Sequence, residues 1–263
     1  MTRGLVLRGL PALVVVVGAI VGPWVGPPVD GAVGVPFAAP HGGAPLGGDR
    51  LGHDVFGQLS HGGWGLILLA VVIATAVTGC ASVLGALAAL RPRLGAVIER
   101  GADLAILLPA VLALLLVVAA WPESGAFGVV LVAIVFGIPY SARVFAAAAT
   151  PVAATGYVEA ARLGGESTGY VIFREMLPNM RELVFAQFGL RFVEGMYLVA
   201  TAAFLRLPTS LGDSNWAVMV RDNASGILLN PWSVLAPSLA IGTVAVSVNL
   251  LAAALGRREV GRT

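Results

Sequence analysis

Lysine is missing from this chain: all sixteen of its basic residues are arginines. That excludes a phosphate-cradling P-loop lysine, a Schiff-base lysine and a catalytic lysine within the polypeptide. Charge of either sign is scarce. Only 11% of the residues are charged, against roughly 25% in a soluble domain. One cysteine, Cys80, is present. An intramolecular disulfide and a cysteine-based metal cluster are therefore both excluded. Cys80 lies in an apolar run, where a small packing role is expected. The net charge is only +2, which does not suggest a nucleic-acid partner. With so few polar residues, no Ser-His-Asp or paired-carboxylate arrangement stands out. No nucleotide-binding motif is found.

Apolar runs fill the space that charge leaves. The chain is 58% hydrophobic over 263 residues, with a mean hydropathy of +0.91. Several runs are long enough for a hydrocarbon layer of roughly 30 Å. The pattern predicts an all-α polytopic membrane protein with about six spans, near 10–25, 65–90, 104–121, 127–148, 183–205 and 232–255. The first run has the length of a signal-peptide core, but no clear cleavage site precedes Pro27-Pro28. A retained signal-anchor is expected. Residues 27–62 are rich in Gly and Pro and read as a loop, with a short helix near Asp54 to Leu59. Glu99, Arg100 and Asp103 mark a connection before the third span. No second domain or internal repeat is visible, so 1–263 reads as a single membrane domain.

Arginine placement sets the expected orientation. With the N-terminus inside, Arg3, Arg8, Arg91, Arg93, Arg100, Arg143, Arg162, Arg174, Arg181, Arg257, Arg258 and Arg262 lie on the cytoplasmic side. Only Arg50, Arg206 and Arg221 lie outside. Both termini and the polar segment 150–181 then face the cytoplasm, and 27–62 is external.

That polar segment is the most informative part of the chain. Thr155 is suited to N-cap a short helix, with Glu159 in its early turns, where the dipole favours an acid. Ala160, Ala161, Gly164 and Gly165 leave a surface of little bulk, which a partner can approach closely. The two glycines also end a helix cheaply. Arg162 and Glu166, four apart, are placed to pair. The plain alternative is a solvated loop connecting two spans.

The spacing adds specificity. Glu159-Ala160-Ala161, a glycine six positions after the glutamate (Gly165), and Leu177-Pro178 eighteen and nineteen after it match the EAA loop. The chain thus resembles the permease subunits of binding-protein-dependent ABC importers. Ile172-Phe173-Arg174 and Leu177-Pro178-Asn179 are most similar to the dipeptide/oligopeptide/nickel branch, C-type permease. A second match lies in the first external loop. There PLGGDRLGHDVFGQL at 45–59 resembles the family's LGTDxLGRDVxSRL segment. Three positions usually basic in or near it are His53, Gln58 and Trp64 here. Glu175 stands where the family usually has an apolar residue. Phe204, Leu205, Gly212 and Trp216 match parts of a later external motif, with fewer prolines.

The resemblance implies a type I importer permease fold and a coupling helix that sits in a groove of an ATPase subunit. Glu159, Ala160, Ala161 and Gly165 would be the docking residues, and Leu177-Pro178 would turn the chain back into the membrane. It further implies a second permease subunit, two ATP-binding subunits carrying ATP and Mg, and an extracytoplasmic solute-binding protein. This chain itself would bind no cofactor and catalyse nothing. The solute would be a di- or oligopeptide, with nickel or another small solute as the alternative. A secondary transporter and a non-transporting scaffold are the rival classes.

Three features stand outside the family pattern or need a decision. Arg191 and Glu194 lie within the fifth span, one turn apart, and are not usual for the family. They read as a structural ion pair, as a lining of the solute path, or as a contact with the second permease. Asp49 reads as a loop cap, with Asp54 left open. His41, His53 and His61 have neither the spacing nor the scaffold of a metal site.

Overall fold

The computed structural model of the chain describes residues 2–29, 31–205 and 215–260. Among these no strand forms; only isolated bridges such as Ala32 with His53 and Gly48 with Asp54 occur. The long helices are α1 (Thr2–Val25), α3 (Trp64–Leu90), α6 (Gly125–Ala153), α9 (Arg181–Phe204) and α11 (Trp232–Val260). Shorter ones are α2 (Val55–His61), α4 (Pro92–Leu107), α5 (Ala110–Ala120), α7 (Gly156–Leu163), α8 (Thr168–Tyr170) and α10 (Trp216–Asn223). Among the described residues, four helical segments are long and apolar enough to cross a bilayer, those containing α3, α6, α9 and α11. The apolar part of α1, Leu13–Val25, is shorter.

The expected third span is where sequence and structure differ most. Residues 92–107 do not form a connection. They form α4, and α5 follows at an angle of 81°. The break is Leu108-Pro109, with Leu108 extended at φ −107°, ψ 114°. Proline excludes the α conformation from the residue before it and cannot donate to the preceding turn, so the helix must stop there. Glu99 and Arg100 are exposed on α4. Asp103 pairs with Arg143 of α6 at 2.7 Å across an exposed surface. The pair α4–α5 would count as a fifth span if taken as one broken element.

α3 is the central helix, packed most extensively on α6 and then on α9, while α11 lies against α9, α1 and α10. Small residues bring these backbones together, as association without a hydrophobic drive in lipid requires. A Cβ on Gly85 of α3 would lie 2.4 Å from the Cβ of Phe145 on α6. One on Gly189 of α9 would lie 2.7 Å from Asn249 Oδ1 on α11. Two apolar cores result, one at each end of this bundle. The first gathers Leu66, Ile73, Val129, Phe192, Met196 and Trp216. The second gathers Ala86, Phe145, Val158, Ile172, Met176 and Met180. Cys80 is exposed on α3, not packed within the chain. Its helix turns it outward, while Val77 and Ala81 face the core.

A cap of loop and short helix closes the end of the bundle near the first core. Asp49 is a loop cap as expected, accepting from the backbone N–H groups of Leu51 (2.8 Å) and His53 (2.7 Å). It also accepts from Gln58 Nε2 at 2.8 Å. Asp54 N-caps α2 by accepting from Phe56 N–H at 3.0 Å. Gln58, one of the departures from the family's basic positions, is therefore spent internally. The later loop is tied to this one. Trp216 is buried and donates its Nε1–H to Leu59 O at 2.7 Å. Asn230, fully buried, donates to Leu46 O and Gly48 O, both at 2.9 Å. Arg50 pairs with Asp222 at 3.3 Å, and Arg221 donates to Ala203 O and Phe204 O at the end of α9. Arg206, Gly212 and Asp213 lie outside the described residues.

Candidate functional site

At the other end of the bundle, α6 runs out of its apolar stretch and the chain turns into α7. Thr155 stands at the N-cap with extended backbone, as predicted, but its hydroxyl donates back to Val152 O at 2.6 Å and caps nothing. The helix then begins with an ordinary backbone bond from Glu159 N–H to Thr155 O, 3.1 Å. Val158 is fully buried and Ala161, three residues on, is half-buried; both pack into the second apolar core. The opposite face carries Tyr157, Glu159, Ala160 and Leu163, all exposed. Leu163 is 83% exposed, too open for a residue that serves this chain's own core.

Gly164 and Gly165 end α7 in a Schellman arrangement. Gly165 has φ +81°, the left-handed region that favours glycine. Its N–H bonds to Arg162 O (3.2 Å), and Glu166 N–H bonds to Ala161 O (3.1 Å). No atom lies within 4 Å of a Cβ built on Gly165, so the conformation and not crowding calls for glycine there. Glu166 thus falls beyond the helix, and the i,i+4 geometry expected for its pairing with Arg162 does not exist.

Residues from Thr168 onward form one helical segment to Phe204. It starts at α8, capped by Ser167 Oγ accepting from Tyr170 N–H at 3.2 Å. It passes through a π-helical stretch, Val171–Met176, and a 3₁₀ turn, Leu177–Met180, into α9. Leu177-Pro178 therefore does not reverse the chain: the reversal is at Gly164–Ser167. Pro178 sits at the start of the 3₁₀ turn, where its missing N–H is tolerated. The local change of helix type accommodates it, and Asn179 Nδ2 donates to Glu175 O at 2.7 Å. Leu177 is half-buried against the second core, while Pro178 is exposed. Val171, Ile172 and Met176 are buried beside Val158, so α7 and the foot of α9 share one core.

Arg191 and Glu194 lie farther along α9, away from α7. They do form an ion pair, and the arginine is the more buried member, with 12% of its side chain exposed against 40% for the glutamate. The guanidinium stands over the ring of Tyr140 on α6, 5.6 Å from its centre. The histidines are dispersed: His61 Nδ1 lies 2.8 Å from Gly57 O, to which it donates, and His53 Nδ1 lies 4.0 Å from Asp49. Val158 and Tyr140 were not singled out in the sequence. An alternation of exposed and apolar positions around Glu159 could have found Val158. Tyr140 has no local signal, because its role comes from α6–α9 packing.

Comparison with known proteins adds an independent line. The peptide transport system permease protein SapC of Escherichia coli O6:H1 is 31% identical over 209 residues, 78% of this chain and 70% of that protein. A Brucella ovis protein named as a peptide permease is 30% identical over 209 residues, 78% of this chain and 69% of its own length. A Brucella suis protein named as a peptide transport system permease is 28% identical over 245 residues, 91% and 81% of the two chains. The family described as binding-protein-dependent transport system inner membrane component matches residues 81–260, which include α6, α7, α9 and α11. With its apolar helices and this match, the chain is an all-α, multi-pass membrane protein that belongs to the binding-protein-dependent transport system inner membrane component family.

Proposed function

We propose that this chain is a permease subunit of an ATP-driven importer for di- or oligopeptides, and that α7 is where it meets an ATPase subunit. The peptide class rests on the names of the relatives. The coupling reading rests on one observation: α7 is anchored by Val158 to the core that also holds the foot of α9, while its other face is left uncovered. A short helix pinned on one side and bare on the other can transmit a push. Displacing it must move the packed residues Val171, Ile172 and Met176, and with them the start of a 37-residue helical segment. Glu159 and Ala160 are the contact residues in this reading, Ala161 and Leu177 support the helix from inside, and Gly165 shapes its end.

The permease works as one half of a translocation path, with a second permease, two ATP-binding subunits and an extracytoplasmic binding protein. Arginine placement puts both termini and α7 in the cytoplasm and the Asp49–Asp54 cap outside. ATP acts by favouring one access state; moving a 1:99 equilibrium to 99:1 takes about 5.5 kcal/mol of differential binding.

The test is purification of the whole complex in mild detergent, with and without Glu159→Lys plus Ala160→Trp. The expected result is ATPase subunits that accompany the wild-type chain and are lost from the variant, with its helix content unchanged. A wild-type chain that carries no ATPase under conditions preserving other complexes would move the assignment to a secondary transporter or a scaffold.

A further inference from the structure

A cavity of about 230 Å³ opens beside the break between α4 and α5, lined in part by Ala105, Ile106, Leu108, Tyr140, Arg191 and Glu194. Three features make it unlike a sealed structural ion pair. First, the pair leaves bonding capacity unspent: Arg191 Nε is buried with no acceptor among the described residues, and Glu194, which also lines the cavity, stays 40% exposed. A buried donor without a partner is destabilising, a cost that a bound acceptor removes. Second, Tyr140 holds the guanidinium from one face, which fixes its direction. Third, α4 ends at this cavity. Its last carbonyls have no intrahelical partners, and the end of its dipole is negative. Irregular backbone at membrane depth is tolerated where it lines a cavity.

The walls thus present a guanidinium and a carboxylate one turn apart on α9, with the carbonyl-rich end of α4 beside the break. We propose that this cavity is a subsite for a zwitterionic solute. A free carboxylate would take the open edge of Arg191, and a free ammonium would take Glu194 and the end of α4. Resting on the peptide-import reading, this makes the terminal charges of a short peptide the feature the permease itself recognises. Solute entry would exchange the internal Arg191–Glu194 pair for two external ones, so charge compensation is kept throughout passage.

The experiment is uptake of trialanine by proteoliposomes holding the whole complex with its binding protein, comparing wild type, Arg191→Leu/Glu194→Leu and the charge exchange Arg191→Glu/Glu194→Arg. Basal ATP hydrolysis reports assembly. The expected result is uptake lowered about tenfold or more in the double leucine variant, with basal hydrolysis retained and no rescue by the exchange. Wild-type uptake by the leucine variant, or full rescue by the exchange, would make the pair structural and overturn the subsite. If the leucine variant does not assemble, Glu194→Gln is read instead. A raised KM for trialanine supports the subsite, and an unchanged one overturns it. Wild-type complexes that hydrolyse ATP but import no trialanine would refute the peptide reading itself, and the subsite with it.

Discussion

The two ends of the bundle are built on opposite plans. The cap is closed by polar contacts of long range: Asn230 holds two carbonyls of the first loop, Trp216 reaches Leu59, and Arg50 meets Asp222. Most of its buried polar side chains find partners in the chain; Asn215 Nδ2 is one that finds none among the described residues. At the α7 end nearly the reverse holds. α7 is kept in place by apolar contact through Val158 and Ala161, and its polar and bulky residues face outward. The cap's long-range polar contacts close within the chain, although Leu228 and Leu229 are exposed there, whereas the outward half of α7 has no such contacts. That contrast explains why the departure from the family pattern at Gln58 is absorbed internally, while Glu159 and Leu163 face outward.

The largest expected effect breaks the cap. A Cβ on Gly63 would lie 2.1 Å from the Trp216 ring. Gly63→Ala must push the indole from its buried seat and cost its bond to Leu59 O. A loss of about 3 kcal/mol follows from the combined packing and hydrogen-bond terms. The thermal unfolding midpoint of the purified complex should fall by several degrees. An unchanged midpoint would mean that the cap yields easily and that the two ends are less different than their contacts imply.

A smaller effect belongs to the other end. Gly165→Ala asks alanine to adopt φ +81°, with no steric neighbour involved. The cost is conformational, about 1 kcal/mol, and falls on the Schellman turn that ends α7. A modest drop in midpoint is expected, with partial retention of ATPase subunits. Complete loss of both would show that the turn organises far more than α7.

How much of this was readable in advance depended on whether the cause was local. α3 and α11 are long apolar runs and α9 is a mainly apolar one, and their ends were legible within a few residues. The bounds of the Thr155–Gly165 unit were legible because glycines act on their own neighbours, but the Thr155 hydroxyl turns back to Val152 O and does not cap α7. The α4–α5 break was misread because hydropathy was given precedence over Leu108-Pro109, a breaker signal that lay in plain view. Leu177-Pro178 was misread the other way: a proline was taken for a turn, yet a switch of helix type lets the chain run on. Cys80 was assigned to packing because apolar runs do not reveal which face looks inward when all faces are apolar. The Tyr140–Arg191 contact joins α6 to α9, and no spacing within either helix encodes it.

The smallest stability effect carries the sharpest test of the contrast. Glu159 is exposed in the first turn of α7. Glu159→Lys gives up a favourable dipole interaction and adds an unfavourable one, each about 0.3 kcal/mol for an exposed, salt-screened site. The midpoint of the isolated chain should scarcely move, less than for Gly165→Ala. Association should behave differently, because a reversed charge placed against a fitted partner groove is repelled where the original was accepted. Loss of the ATPase subunits is therefore expected to be greater for Glu159→Lys than for Gly165→Ala, the inverse of their order in stability. If the two effects rank the same way, α7 fails because it unfolds, and its bare face is merely solvated surface. Inverted ranking would mean that this end of the molecule, unlike the cap, is completed by another chain.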